Sequence, residues 1–216
     1  MPLSGSVVLI TGATGPIGRP LTDALLAANA NVAIGVRRIE DVHPVDRALR
    51  ERNLSAFISP CDLRFEEDVV RLVHRVIRQF GRIDALINAA MVDGLDERLI
   101  DYPVDPWRSV LATNITGSYL LCREVLPWMI RQREGCIMFL QRSVDDRSAP
   151  AAAHVTRQAI EALARQLLAE LRSLKVGIHS LQVAVPEHDG ARPDWIDTVL
   201  NLARDRAVAE SSHADA

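Results

Sequence analysis

Cysteine is scarce in this chain of 216 residues, and the three present, Cys61, Cys122 and Cys136, follow no metal-ligating spacing. An odd number without a pairing pattern excludes a disulfide scaffold and reads as small core residues in a reducing compartment. No metal site is expected. No apolar run approaches membrane-spanning length, and the first residues show no basic stretch ahead of an apolar segment and cleavage site, so neither a leader nor an anchor is expected. Neither sign of charge dominates. The net charge is −3 with arginines scattered among acids, which excludes an argument for nucleic acid or an acidic membrane surface as partner. Internal repeats and low-complexity segments are also missing. These absences point to a soluble, cytoplasmic protein, and 48% hydrophobic residues over this length suit one domain with a large core.

What is there begins with Val7-Val8-Leu9-Ile10-Thr11-Gly12-Ala13-Thr14-Gly15-Pro16-Ile17-Gly18. A short apolar run enters a loop of three glycines spaced three apart, and a helical pattern runs from Pro16 to Ala30. The order is strand, tight turn, helix. Glycine at 12 and 15 lets the backbone turn and lets a diphosphate approach main-chain N–H groups, and Gly18 lets the helix pack close to the strand. The open N–H groups and positive dipole end of that helix then face the phosphates. Pro16 fits the first turn, where a missing N–H is tolerated. Strand before, helix after and a second strand beyond are the context this motif requires.

The second strand, Asn31 to Arg38, ends in Val36-Arg37-Arg38. An acid at its end would accept both adenosine ribose hydroxyls and select NAD. Val36 stands at that position with two arginines beside it, which suits the 2′-phosphate of NADP, so NADP(H) is expected over NAD(H). A helical stretch to about Arg52 precedes a third strand over Ala56–Leu63 that carries Asp62 at its carboxyl end. Apolar positions Val69, Val70, Leu72, Val73, Val76 and Ile77 mark an amphipathic helix over Glu66–Phe80, stopped by Gly81. Ile83–Ala90 is a fourth strand, a long helix runs from about Trp107 to Arg133, and Gly135–Leu140 is a fifth strand. Gln141–Pro150 reads as a loop at the sheet's carboxyl end, where ligands of such sheets sit. A helix over Ala151–Leu174, a strand over Val176–Pro186 and a helix over Asp194–Ala209 complete the pattern. The expected fold is a single α/β domain over residues 1–209, a Rossmann-type doubly wound parallel sheet with helices on both faces. Residues 210–216 are expected to be a disordered tail.

The chain resembles the short-chain dehydrogenase/reductase family over nearly its whole length. Thr11 to Gly18 resembles the family's cofactor loop, which implies cofactor roles for Gly12, Thr14, Gly15, Ile17 and Gly18, with Arg37 and Arg38 at the ribose. Cys61-Asp62-Leu63 resembles the segment that contacts adenine through Asp62. Asp84 to Ala90 resembles the family's Asn-Asn-Ala-Gly strand end and implies cofactor contacts for Asn88 and Ala89. Trp107 to Pro127 is the most specific match and places Asn114 at the family's catalytic asparagine, which orders a water in the proton relay. The resemblance also implies pairing through the long helices into a homodimer or homotetramer, or a hetero-oligomer with an active relative.

The family's chemistry needs three more residues: a tyrosine as proton donor, a lysine four residues later, and a serine after the fifth strand. A hydride reaching a carbonyl leaves an alkoxide unless an acid protonates it, and a bare phenol is a poor base near neutral pH. Aligning Arg157 to Arg165 with the family's helix puts Arg157 at the lysine and Ala153 at the tyrosine. Shifting by one residue offers His154 and Gln158 instead. Gln141, Arg142 and Ser143 compete for the serine, and Ser143 is chosen. The family's Pro-Gly segment reads Pro186-Glu187 here, and the substrate lid is reduced to about 187–193.

Three readings follow. One is an NADP(H)-dependent oxidoreductase acting on a small-molecule carbonyl or hydroxyl, with catalytic Asn114 and Ser143, His154 as replacement acid and Arg157 on the ribose. Asp145, Asp146 and Tyr102 are further candidates near it, although Asp145-Asp146-Arg147 also reads as a solvated turn, His154 as a core-edge residue, and Tyr119 as packed on the sheet. The second is an inactive relative acting through a partner. The third is a non-redox enzyme for dehydration or cyclisation on the same fold.

Overall fold

The structure is a computed structural model that describes residues 3–143, 149–185 and 193–205. Six parallel strands form one sheet in the order β3-β2-β1-β4-β5-β6. They are β1 (Val7–Thr11), β2 (Asn31–Val36), β3 (Phe57–Pro60), β4 (Ala85–Asn88), β5 (Gly135–Arg142) and β6 (Val176–Val183). The helices are α1 (Gly18–Ala27), α2 (Val42–Arg50), α3 (Glu66–Phe80), α4 (Val104–Leu111), α5 (Gly117–Gln132), α6 (Ala151–Leu171) and α7 (Trp195–Asp205). The expected doubly wound α/β architecture is what the chain adopts.

Period-two alternation along the strands divides the core in two. Leu9, Leu86 and Ile137 face α3, α5 and α6, against Val69, Leu72, Leu121, Val125 and Ile160. Val8, Ile10, Ile87 and Met138 face the other way, against Leu21 and Leu25 of α1, Leu49 of α2 and Val199 of α7. The central strands therefore read as continuous apolar runs, the pattern of a sheet buried on both faces. Helix α3 shows how local chemistry agrees with packing. Glu66, Glu67 and Asp68 sit in its first turn, Val69, Leu72, Val73 and Val76 are buried, and Gly81 closes it at φ +76° with its N–H on the Ile77 carbonyl.

The strand order reverses between β1 and β4, and there the carboxyl ends open a crevice. On the opposite edge the buried Asp84 carboxylate accepts the Val7 N–H at 2.7 Å and pairs with Arg82, joining the starts of β1 and β4.

Several sequence boundaries move. Helix α1 starts at Gly18 rather than Pro16, because residues 12–17 are used in the turn. The expected long helix from Trp107 begins at Val104 and is broken by a π-helical turn over Ala112–Thr116 before continuing as α5. Strand β5 extends to Arg142 because its register with β6 runs on to the Arg142–Val183 pair, so Gln141 and Arg142 are not loop residues. Helix α6 ends at Leu171, and Lys175, at φ +54°, turns the chain into β6. Tyr119 does not pack on the sheet: it is 48% exposed on α5. The expectations for Asp145 to Arg147, for Pro186 to Arg192 in the reduced lid, and for the tail lie outside the described residues.

At Gly18 an added Cβ would stand 2.1 Å from the Gly12 carbonyl oxygen, a contact between two backbones that neither can relieve. Gly18→Ala is expected to cost about 1–3 kcal/mol of unfolding free energy in urea denaturation. Gly15→Ala, whose Cβ would come no closer than 3.3 Å to Gly12 O, is expected to cost less than about 1 kcal/mol. Equal losses would contradict this packing role for Gly18.

Candidate dinucleotide-binding cleft

A cleft of ≈ 320 Å³ opens at the carboxyl ends of β1 to β5, under residues from the loop before α1, from the β4 end and from α6. Gly12 sits at φ +74°, and a Cβ there would meet the Ala89 carbonyl at 2.5 Å, so only glycine lets the loop lie against the end of β4. The turn is laced by the Gly15 N–H on the Gly12 carbonyl (3.0 Å) and the Arg19 N–H on the Gly15 carbonyl (2.9 Å). Helix α1 has neither a side-chain cap nor an acid in its first turn. The Arg19 N–H is taken by the Gly15 carbonyl and Pro20 has none to give, so the donors at this end are the loop and Gly18 N–H groups, and no carboxylate in the first turn competes for them. That donor set, beside a backbone cradle bare of side chains, fits a dinucleotide diphosphate. Gly12, Thr14, Gly15 and Ile17 line the cleft, while Gly18 lies beneath, packed on the loop.

Toward the ends of β2 and β3, Val36, Arg37, Cys61 and Asp62 line the cleft. Arg37 is 62% exposed, with Nε 3.9 Å from Asp62 Oδ2, so its guanidinium is open to an incoming phosphate. Arg38 differs. It donates from Nε (3.2 Å) and Nη2 (2.8 Å) to the two carboxylate oxygens of Asp41 and does not line the cleft. The two neighbouring arginines are therefore unequal. Arg64, which sequence reasoning missed, donates to both Asp62 oxygens from Nε (3.0 and 3.1 Å) and to Oδ2 from Nη2 (2.6 Å). That guanidinium holds the Asp62 carboxyl below the usual carboxylate range despite partial burial. Burial pushes the Cys61 thiol up to about 12, so it is an inert lining group.

Beneath the cleft runs a chain of buried side-chain hydrogen bonds. Thr11 Oγ1 donates to Asn88 Oδ1 (2.7 Å), Asn88 Nδ2 to Ser118 Oγ (2.7 Å), and Ser118 Oγ to the Asn114 carbonyl (2.5 Å). Asn114 Oδ1 accepts the Val92 N–H, and its Nδ2 donates to the Val92 carbonyl and to Thr156 Oγ1, each at 2.9 Å. Asn114 is wholly buried in the π-helical turn, and Asn88 lies at the end of β4. Neither lines the cleft, whereas Ala89, Val92 and Thr113 beside them do.

At the far end of the cleft, Ala153 and Arg157 of α6 line it together with Arg142 of β5 and with Asp93. Arg157 is only 4% exposed. Ser143 is exposed, donates its N–H to the Val183 carbonyl (2.8 Å), and does not line the cleft. His154 does not line it either. Its Nδ1 lies 3.3 Å from Arg157 Nη2, one residue removed from the open space. Gln141 is buried with Nε2 on Ser180 Oγ (3.1 Å). Arg142 and Asp93 were missed as site residues, although counting every second residue from Leu140 would have put Arg142 on the cleft side of β5. Among the described lining residues there is no Tyr, Lys, His or Ser. Tyr102 accepts the Leu95 N–H at 2.7 Å, and Lys175, the one lysine of the chain, lies before β6.

A parallel sheet with a glycine loop and an uncapped helix end at its switch point defines a dinucleotide-binding fold. The sequence model of the short chain dehydrogenase family matches residues 6–191, and the chain belongs to that family. Among curated relatives, it is 27% identical over 198 residues to dehydrogenase/reductase SDR family member 4 of Bos taurus, covering 91% of this chain and 71% of that one. It is also 27% identical over 176 residues to a 3-oxoacyl-(acyl-carrier-protein) reductase of Staphylococcus epidermidis, covering 80% and 72%. Among solved structures, a metagenomic short-chain oxidoreductase in complex with NADP superposes with a TM-score of 0.81 at 27% identity, covering 97% of this chain and 96% of that one. NAD+-bound xylitol dehydrogenase gives 0.78 at 29%, covering 85% and 72%. Among the described residues no helix is long and apolar enough to cross a membrane.

Asn114→Ala strips partners from the Val92 N–H and carbonyl and from Thr156. It is expected to destabilise the fold by about 1–3 kcal/mol per group left without a partner, read by thermal and urea unfolding. Unchanged stability would show that the buried chain of hydrogen bonds does not hold the cleft floor.

Proposed function

We propose that this chain binds NADP(H) in the cleft and does not run the family's carbonyl–alcohol interconversion, acting as a cofactor-holding relative of the oxidoreductases. One observation carries this reading: the cofactor loop meets its steric and electrostatic requirements, while the described lining residues of the opposite end offer no phenol, amine or imidazole. When bound, the dinucleotide supplies a hydride at its nicotinamide. This chain's part would be to bind the diphosphate on the loop from Gly12 to Ile17 and the 2′-phosphate on Arg37, with Asp62 and Ala89 beside the adenosine and nicotinamide halves. Arg157 would hold ribose hydroxyls. A guanidinium keeps its proton under all ordinary conditions and does not serve as donor to an alkoxide. The NADP-bound relative with matching length on both chains supports the cofactor half of the reading.

A second reading, an oxidoreductase with His154 as acid, has one observation in its favour. The imidazole touches Arg157, which lines the cleft. The observed lining favours the first.

Titration of the protein with NADPH and NADH, followed by the nicotinamide fluorescence, tests the cofactor assignment. Arg37→Ala is expected to weaken NADPH by about tenfold or more, the loss of a charge-assisted phosphate contact, and to leave NADH little changed. Arg38→Ala, already engaged by Asp41, is expected to change neither. Equal losses for both cofactors at Arg37, or no binding at all, would overturn the assignment. For the chemistry, the wild-type protein is expected to consume no NADPH with a panel of small ketones and aldehydes. The triple replacement Arg142→Ser, Ala153→Tyr and Arg157→Lys is expected to introduce measurable consumption. Turnover by the wild-type protein that His154→Ala abolishes would establish the second reading instead.

A further inference from the structure

We infer that Arg64 is a positioning residue for the 2′-phosphate of NADP(H): by closing both oxygens of Asp62 it keeps the guanidinium of Arg37 open to that phosphate. The inference rests on the cofactor reading, and every group it invokes belongs to this chain.

Asp62 stands between two arginines. The register of β2 with β3 pairs Val36 with Pro60, and the Cys61 N–H donates to the Val36 carbonyl at 2.7 Å, so the sheet brings Arg37 beside Asp62. A free carboxylate this close to a guanidinium draws it into a charge-assisted pair. At the rim of the cleft such a pair would occupy the donors that meet a phosphate and set a negative charge against it. Arg38 shows that outcome. Asp41 takes its Nε and Nη2 at 3.2 and 2.8 Å, and Arg38 does not line the cleft.

Arg37 escapes it. Its Nε stands 3.9 Å from Asp62 Oδ2, beyond hydrogen-bond reach, because the carboxylate is already filled. Arg64 donates from Nε to both oxygens (3.0 and 3.1 Å), from Nη2 to Oδ2 (2.6 Å) and from its backbone N–H to Oδ1 (3.1 Å). The side chains of Arg64 and Asp62 are 33% and 15% exposed, so this pair is better shielded than one made by Arg37, which is 62% exposed. The hydrogen bonds from Arg64 are the main cause holding the Asp62 carboxyl low, and the charge on Arg37 contributes least. Arg64 does not itself line the cleft, so it acts through Asp62. Its guanidinium carbon also lies 5.6 Å from the centre of the Phe65 ring, which gives an otherwise exposed phenylalanine ahead of α3 a partner. From the other side, Asp68 Oδ2 accepts the Asp62 N–H at 3.1 Å and fixes the backbone there.

The test is titration of the full chain with NADPH and with NADH, read by nicotinamide fluorescence, across a set of variants. Arg64→Gln frees Asp62 to take Arg37 and is expected to weaken NADPH by about fivefold to tenfold, and NADH by less than about twofold. Arg64→Lys returns the charge without the fork and is expected to lie between wild type and Arg64→Gln. Adding Asp62→Asn to Arg64→Gln removes the competing carboxylate and is expected to return the NADPH-to-NADH affinity ratio to its wild-type value. A merely structural role for Arg64 would not be rescued by removing its partner. Arg131→Gln, on α5 over Trp128, is the control and is expected to change nothing. An unchanged ratio in Arg64→Gln, equal losses for both cofactors, or no rescue by Asp62→Asn would each overturn the inference. If Arg37→Ala still weakens NADPH selectively in that case, the cofactor reading survives. Failure of the wild-type protein to bind NADPH removes both, whereas turnover of a ketone by the wild-type protein would leave the inference standing.

Discussion

A buried chain of side-chain hydrogen bonds from Thr11 through Asn88 and Ser118 to Asn114 and Thr156 ties two central strands to α5, the π-helical turn and α6. Every polar atom along it has a partner, and each left unpaired would cost about 1–3 kcal/mol in so dry a place. The network therefore works as a unit and fixes where the sheet's carboxyl edge stands against the helices that carry the far end of the cleft. The π-helical turn belongs to the same arrangement. It lies where Asn114 turns inward to grip both backbone groups of Val92. The rigid frame of the cleft is thus independent of the side chains that project into its far end.

This separation explains how the two ends of the cleft can differ so much. The loop end depends on backbone: a glycine at positive φ, another pressed against the loop, and a helix end without a side-chain cap. Such features are expensive to change because they also hold the fold together. The opposite end depends on side chains projecting into open space from β5 and α6, where Arg142, Ala153 and Arg157 line the cleft above the network. Arg37 and Arg38 show the same contrast in miniature. Adjacent in sequence and equal in charge, they part because Asp41 lies within reach of one, while the other remains exposed beside the cleft.

Much of this was legible in the sequence, for physical reasons. The three-glycine loop, the alternation of strands with helices and the amphipathic pattern of Glu66–Phe80 each encode structure locally, and they sufficed for the fold and for the turn at its switch point. The end of β5 was not legible. Its last two residues are held by pairing with β6 some forty positions later, which no local pattern reveals, so Gln141 and Arg142 read as loop and Ser143 as the inward residue. Asn114 was found through the family resemblance, but its work, gripping Val92 and Thr156, depends on contacts 22 and 42 residues away. His154 was chosen for its proton affinity, and only the turn of α6 puts it behind Arg157 rather than in the cleft.

We propose that this chain keeps cofactor binding without the family's hydride chemistry. NADPH deuterated at nicotinamide C4 tests it most directly. The native protein, saturated with that cofactor, is incubated with the ketone and aldehyde panel, and the products are read by mass spectrometry. The account predicts a saturated protein and no deuterium in any alcohol product above the protein-free control. Deuterium in an alcohol in amounts exceeding the protein present would show that this cleft still turns over, and would contradict it.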